Sequence, residues 1–146
     1  MDSIDLSILN LLKQNAKNTA SQISKKVGLS IPAVTERIRK LDDAKVINRY
    51  TVQLNHKKMG YHILAFVFVN IDSSANIKGF REQVVGFEQV LECHHMAGEY
   101  DYLLKVVTTD TTELEDFLSN GLKSIKGVEK TNTLIVLSTL KEELNR

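Results

Sequence analysis

The apolar residues of this 146-residue chain change their spacing near Asp43, and that change restricts the folds open to it. Before Asp43 they recur every three or four positions, as on one face of a helix; after it they gather into short runs separated by helical stretches. Together the two patterns specify an α+β chain, helical at first and then built from alternating strands and helices.

Local chemistry marks the ends of the early helices. Asp2 is placed to cap a helix whose stripe is Ile4, Ile8, Leu11 and Leu12. Thr19 to Gln22 has the form of a capping box, with Ile23 and Val27 facing inward behind it. Gly28 can take the left-handed conformation that ends this helix. Ser30 caps a third helix that tolerates Pro32 in its first turn and buries Val34, Ile38 and Leu41. Residues 46–54 then read as a short β-hairpin or extended wing, closing a winged helix-turn-helix domain over 1–54. A connector over 55–61 follows.

Within 62–146 the elements run strand (62–71), helix (Ile77, Phe80, Val84 and Phe87 inward), strand (90–96), strand (102–107), helix (Leu114, Phe117, Leu118 and Leu122 inward) and strand (128–137). That βαββαβ order predicts a ferredoxin-like domain, one antiparallel sheet with two helices on one face. Runs 63–69 and 134–137 stay apolar at every position, which one wet face does not explain, so another subunit is expected to cover the second face.

Charge divides along the same line. Up to Gly60 there are 11 Lys and Arg against 5 Asp and Glu; beyond it there are 8 against 13, giving formal charges of +6 and −5. A basic module joined to an acidic one makes double-stranded DNA the leading partner of the first. No apolar run approaches the ~20 residues of a membrane span, and no secretory signal precedes the first helix, so a cytoplasmic chain with no membrane partner is expected. The lone Cys93 leaves neither an internal disulfide nor a zinc-type cysteine pair.

Ser24, Gly28 and Val34 meet the needs of a helix-turn-helix, with Ile23, Val27 and Leu29 packing around the turn. When Val34, Ile38 and Leu41 point inward, ~100° per residue puts Pro32, Glu36, Arg39 and Asp43 at the centre of the outward face. The N-terminal positions of a reading helix reach base edges, so Ala33, Thr35 and Glu36 are the expected readers, behind Ser30 at the helix head. Arg39 is suited to a guanine or a phosphate. Arg37, Lys40 and Arg49 are the expected phosphate contacts, with Lys25 and Lys26 as weaker additions.

Several stretches then align with a known pattern: Asp5 with Ile8-Leu9, Val27-Gly28-Leu29-Ser30, Val34-Thr35-Glu36-Arg37-Ile38, Val46-Ile47 with Tyr50, Gly60, Gly98-Glu99-Tyr100-Asp101-Tyr102, and 133–137. In order and spacing they resemble the Lrp/AsnC family of feast/famine regulators over nearly the whole chain. Two departures stand out: Lys45 where the family usually has glycine, and Asn15-Ala16-Lys17 where it often has an acidic residue and an arginine. The resemblance implies a transcription regulator whose C-terminal domain dimerises, assembles into octamers or other multiples of dimers, and holds an amino-acid effector between dimers. Its effector-binding residues would be Met96, Ala97, Gly98, Glu99, Tyr100 and Asp101, with Thr133. The chemistry of these side chains and amides suits such a ligand. Gly98 permits close backbone approach, Asp101 can pair with an ammonium, and nearby amides can receive a carboxylate. The alternative at Gly98 and Asp101 is a turn shaped for its own sake.

Cys93-His94-His95 carries zinc-type ligands, yet neighbours on a strand point to opposite faces, so His94 cannot easily join Cys93 and His95. A structural or ligand-lining role is expected there, with no metal and no cofactor. No nucleophile-base pair, phosphate loop or paired-carboxylate signature is present, and the chain is not expected to be an enzyme. The alternatives on the same architecture are an effector-independent architectural DNA-binding protein and a tetrapyrrole-processing enzyme.

Overall fold

Asp2, Thr19 and Ser30 each close the head of a helix in the computed structural model, which describes residues 1–145. In α1 (Ser3–Gln14) the Asp2 carboxylate accepts from the Asp5 amide, and the Asp5 carboxylate accepts from that of Asp2. In α2 (Ala20–Val27) Thr19 and Gln22 form the expected capping box, and Gly28 ends the helix at φ 71°. In α3 (Ile31–Asp43) the Ser30 hydroxyl accepts from the Ala33 amide, with Pro32 in the first turn. Ile8, Ile23 and Val34 are wholly buried among these helices, with Leu11, Val27, Leu29 and Ile38 packed around them. They lie in the first of two compact units, Met1–Gln53 and Leu54–Glu142.

The end of α3 shows what the lysine at 45 does. The Lys45 amide donates to the Asp42 carbonyl and the Val46 amide to that of Leu41, the bond pair of a Schellman motif. Lys45 itself sits at φ 57°, the one non-glycine residue with positive φ among the described residues. The helix thus ends as a glycine would end it, at the steric cost of a side chain in left-handed backbone. Lys45→Gly is expected to raise stability by about 0.5–1 kcal/mol after the entropy of a freer unfolded chain is subtracted. Urea unfolding of the two proteins checks this through a shifted midpoint at unchanged slope.

Residues 46–54 do not form the expected β-hairpin. They run without strand structure, and the amides of Val46 and Ile47 are spent on the Leu41 carbonyl. A tight hairpin needs positive-φ residues between two arms, whereas here the left-handed residue lies before the stretch and Asn48-Arg49 supplies none. The Tyr50 hydroxyl lies 3.3 Å from the Asp42 carboxylate, fastening the extended chain to the end of α3. A single 3-10 turn, His56–Met59, then precedes Gly60 at φ 89°.

The second unit has the ferredoxin-like βαββαβ order: β1 (Ile63–Ile71), α4 (Ser74–Val84), β2 (Val90–His95), β3 (Tyr102–Thr108), α5 (Thr111–Asp116) and β4 (Val128–Ile135). The strands form one antiparallel sheet in the order β2-β3-β1-β4. Ala65, Val67 and Val69 of β1 and Tyr102, Leu104 and Val106 of β3 share a core with Phe80 and Val84 of α4 and with Leu114, Phe117 and Leu122. The last three do not lie on one regular helix as expected. After Asp116 the chain makes a π turn, Phe117–Gly121, and a 3-10 turn, Leu122–Ser124. The wider turn lets Phe117 and Leu122, five apart, both reach the core, while Leu118 stays partly buried. Gly121 passes so close to Phe87 that a Cβ there would stand 3.1 Å from its ring.

β4 ends two residues short of the expected Leu137, which is 97% exposed, although the Val136 amide still bonds to Leu64. β2 likewise ends at His95 rather than Met96, whose amide donates instead to Asp101. On the sheet face away from the helices, Leu64, Phe66, Phe68 and Leu103 are half-buried and Leu134 is exposed. No helix among the described residues is long and apolar enough to cross a membrane.

Candidate DNA interface and effector loop

Burial of Val34 and Leu41 turns the opposite face of α3 outward, so that Pro32, Thr35, Glu36, Arg39, Lys40 and Asp43 are exposed and Ala33 is half-exposed. The Thr35 hydroxyl donates to the Ile31 carbonyl at 3.0 Å, which leaves its oxygen free to accept. Arg39 is held from both sides. Its Nε and Nη2 donate to the two carboxylate oxygens of Glu36 at 2.8 and 2.7 Å, and Nη1 donates to Asp43. The Arg39 guanidinium keeps the Glu36 carboxyl below the usual range, with Lys40 adding to the effect. Lys25 and Lys26, in the last turn of α2, are exposed, as is Arg49 beyond α3.

Arg37, expected on a phosphate, is engaged within its own unit. Its Nη1 donates to Asp2 at 2.8 Å and to Asp5 at 2.7 Å, tying α3 to the capping box of α1. A helical wheel cannot reveal a partner more than thirty positions away. The carboxyls of Asp2 and Asp5 are held below the usual carboxylate range, first by each other's backbone amides and then by Arg37. Carboxyls depressed in the folded state add stability above the unfolded pKa and lose it as pH falls through the folded one. Arg37→Ala is therefore expected to lower stability at neutral pH, and the gap to wild type should close in acid, below the usual carboxylate range. Unfolding curves under both conditions check this; a gap that persists in acid would assign the loss to packing.

The chain between β2 and β3 forms the second candidate site. Around Gly98 a Cβ would meet nothing within 4 Å, so its backbone is open to approach. Tyr100 packs on Phe68 with ring centres 5.2 Å apart, and Lys130 lies 5.2 Å over the Tyr100 ring and 3.6 Å from Glu99. Asp101 faces β1: its amide donates to the Val69 carbonyl and to Asn70 Oδ1, and its Oδ2 accepts from the Ile71 amide at 2.8 Å. One carboxylate oxygen thus closes the β1 irregularity at Asn70 and Ile71, a role that turn patterns alone do not reveal. Thr133 pairs with Val67, on the helix face of the edge strand, whereas Asp101 meets β1 at Val69 to Ile71. Asn70 and Lys130 were not among the expected site residues; neither sits in a local motif.

Strand parity sorts the Cys-His-His run. Cys93 and His95 pair with Leu104 and Tyr102, whose side chains enter the core, and burial pushes the Cys93 thiol up. His95 stacks on Tyr102, whose hydroxyl accepts from Arg81 Nε at 2.7 Å. His94 turns to the other face, 3.0 Å from Glu92.

A capped helix-turn-helix on a basic segment, followed by a ferredoxin-like unit, defines a DNA-binding transcription regulator with a separate ligand-binding domain. The winged helix-turn-helix DNA-binding family matches residues 1–48, and the Lrp/AsnC ligand binding domain matches residues 64–145. The chain belongs to the Lrp/AsnC family. It is 35% identical over 142 residues to the HTH-type transcriptional regulator FL11 of Pyrococcus abyssi, covering 97% of this chain and 93% of that one. It is 31% identical over 144 residues to the leucine-responsive regulatory protein of Rhizobium meliloti, covering 97% and 92%. Among solved structures, the transcriptional regulator NMB0573 of Neisseria meningitidis in complex with L-Met matches with a TM-score of 0.95 at 29% identity, over 99% of this chain and 94% of that one.

Proposed function

We propose that this regulator recognises a particular double-stranded DNA sequence through α3 and that an amino acid, bound at the loop 96–101, controls it. The carrying observation is the likeness, over 99% of the chain, to a regulator solved with L-Met. The chemistry of the loop agrees with a zwitterion: Gly98 admits a ligand to the backbone, exposed amides suit its carboxylate, and the remaining oxygen of Asp101 suits its ammonium. The uncovered apolar face of the sheet supports a homodimer, and dimers then assemble further, with the effector held between subunits. The protein acts by binding rather than catalysis.

The exposed face of α3 favours sequence reading over architectural compaction, because its charges are balanced rather than uniformly basic. A thermal-shift screen of the twenty amino acids, followed by calorimetry on any hit, tests the effector. A ligand that binds only the folded state must raise the midpoint, by about 2.7 kcal/mol of stability at a hundred times its Kd. No shift with any amino acid would remove the amino-acid effector, and equal affinity for specific and random duplex at matched salt would remove sequence-specific reading.

A further inference from the structure

The outward face of α3 carries Glu36, Arg39, Lys40 and Asp43, two cations and two anions, at the place where a reading helix meets DNA. Lys25, Lys26 and Arg49 are exposed outside this quartet, and no carboxylate among the described residues is paired with them. Phosphate attraction can therefore come from α2 and from the chain after α3, while the reading face itself is neutral.

Arg39 has every kind of nitrogen occupied: Nε and Nη2 fork onto the two oxygens of Glu36, and Nη1 reaches Asp43. A guanidinium gripped at i−3 and i+4 lies flat along the helix instead of sweeping through solvent. Two carboxylates on either side also repel any phosphate that would draw Arg39 away. A guanine edge offers O6 and N7 as neutral acceptors in a matching fork, and a backbone phosphate offers only more negative charge.

From this geometry we infer that Glu36 and Asp43 are specificity-determining positioning residues: they hold Arg39 for a base edge and penalise binding in which α3 rests on phosphates alone. Glu36 then acts on sequence choice through Arg39, not as a base reader of its own. The inference rests on the sequence-reading role of α3 proposed above. It is a case of discrimination built from a repulsive element placed beside the attractive one.

Selection of a preferred duplex from a random library with the full-length wild-type protein supplies the first probe, and a scrambled duplex of equal length supplies the second. Wild type, Glu36→Gln, Asp43→Asn, Arg39→Ala and the double variant of Glu36→Gln with Arg39→Ala are titrated on both across a salt series. All the substituted side chains are exposed, so circular dichroism and thermal unfolding should match wild type. Glu36→Gln is expected to tighten scrambled-duplex binding by about two- to fivefold, the scale of one surface electrostatic contact. It should steepen the salt slope by up to about 1 as Arg39 turns to phosphate. The ratio of selected to scrambled affinity should fall by about tenfold. Asp43→Asn should act in the same direction but more weakly, since Asp43 takes a single bond. In the double variant the effect of Glu36→Gln on the affinity ratio should vanish, because the residue it positions is gone, and only the tightening that comes from removing a phosphate-repelling charge should remain. An unchanged affinity ratio in Glu36→Gln, or the same Glu36→Gln effect on that ratio with and without Arg39, would overturn the inference while leaving sequence-specific binding in place. If wild type enriches no sequence, both the reading role and this inference fall.

Discussion

Under the proposed homodimer, Phe66→Asp is expected to leave the second unit folded while separating the two copies, whereas Val67→Asp, one position along, should prevent folding. The difference comes from the pleat: successive side chains of β1 alternate between the helix-covered face and the open one. Val67 is 0% exposed and lies under α4 with Leu104 and Phe80, where a carboxylate has neither water nor a partner. Such a charge costs several kcal/mol, comparable to the whole stability of a small domain. Phe66 is half-buried on the other face, between Lys105 on β3 and Leu134 on β4, and an aspartate there remains wet in a single chain. It becomes intolerable only when a second copy covers the face. Light scattering with circular dichroism separates the outcomes: a folded species of lower mass for Phe66→Asp, and loss of ellipticity for Val67→Asp. Retention of the wild-type mass by a folded Phe66→Asp would rule out this face as the site of self-association.

Asp101→Asn and Asp101→Ala should fail in different ways. The amide keeps an oxygen for the Ile71 amide, so the tie to β1 survives while the negative charge is lost. Under the proposed sensing role, affinity for the amino acid identified by screening should drop about ten- to a hundredfold, the scale of one charge-assisted hydrogen bond. Alanine instead leaves a half-buried amide without an acceptor, and should cost about 1–3 kcal/mol of stability before any ligand is added. Calorimetry on Asp101→Asn and urea unfolding of both variants distinguish the two effects. Equal ligand affinity in wild type and Asp101→Asn would leave Asp101 with its strand tie alone.

What could be foreseen from residue order was mostly what depends on near neighbours. Caps at Asp2, Thr19 and Ser30 need partners only three positions away, and Gly28 ends α2 through its own φ. The βαββαβ order followed from the apolar runs, and the strand order β2-β3-β1-β4 is the one expected of that connectivity. Residues 46–54 have the alternation of a hairpin without its turn chemistry, which is why the expected strands do not form. The irregular stretch after α5 was hidden because Leu114, Leu118 and Leu122 imitate a regular stripe, while the core takes Leu114, Phe117 and Leu122 and leaves Leu118 partly buried. At the candidate sites the outward face of α3 was legible by rotation about the helix. The long-range bonds of Arg37 and Asp101, to residues about thirty positions away, left no trace in local spacing.

The grip of Asp101 on β1 also has a kinematic meaning. Three hydrogen bonds join this one residue to Val69, Asn70 and Ile71, so the end of the loop is bolted to the last residues of the strand. Tyr100, the next residue back, rests on Phe68, which belongs to the open face of the same strand. A displacement of the loop must therefore either break those bonds or drag the end of β1 and the Phe68 ring with it. The loop behaves less like a free flap than like the handle of a lever whose short arm is the uncovered side of the sheet.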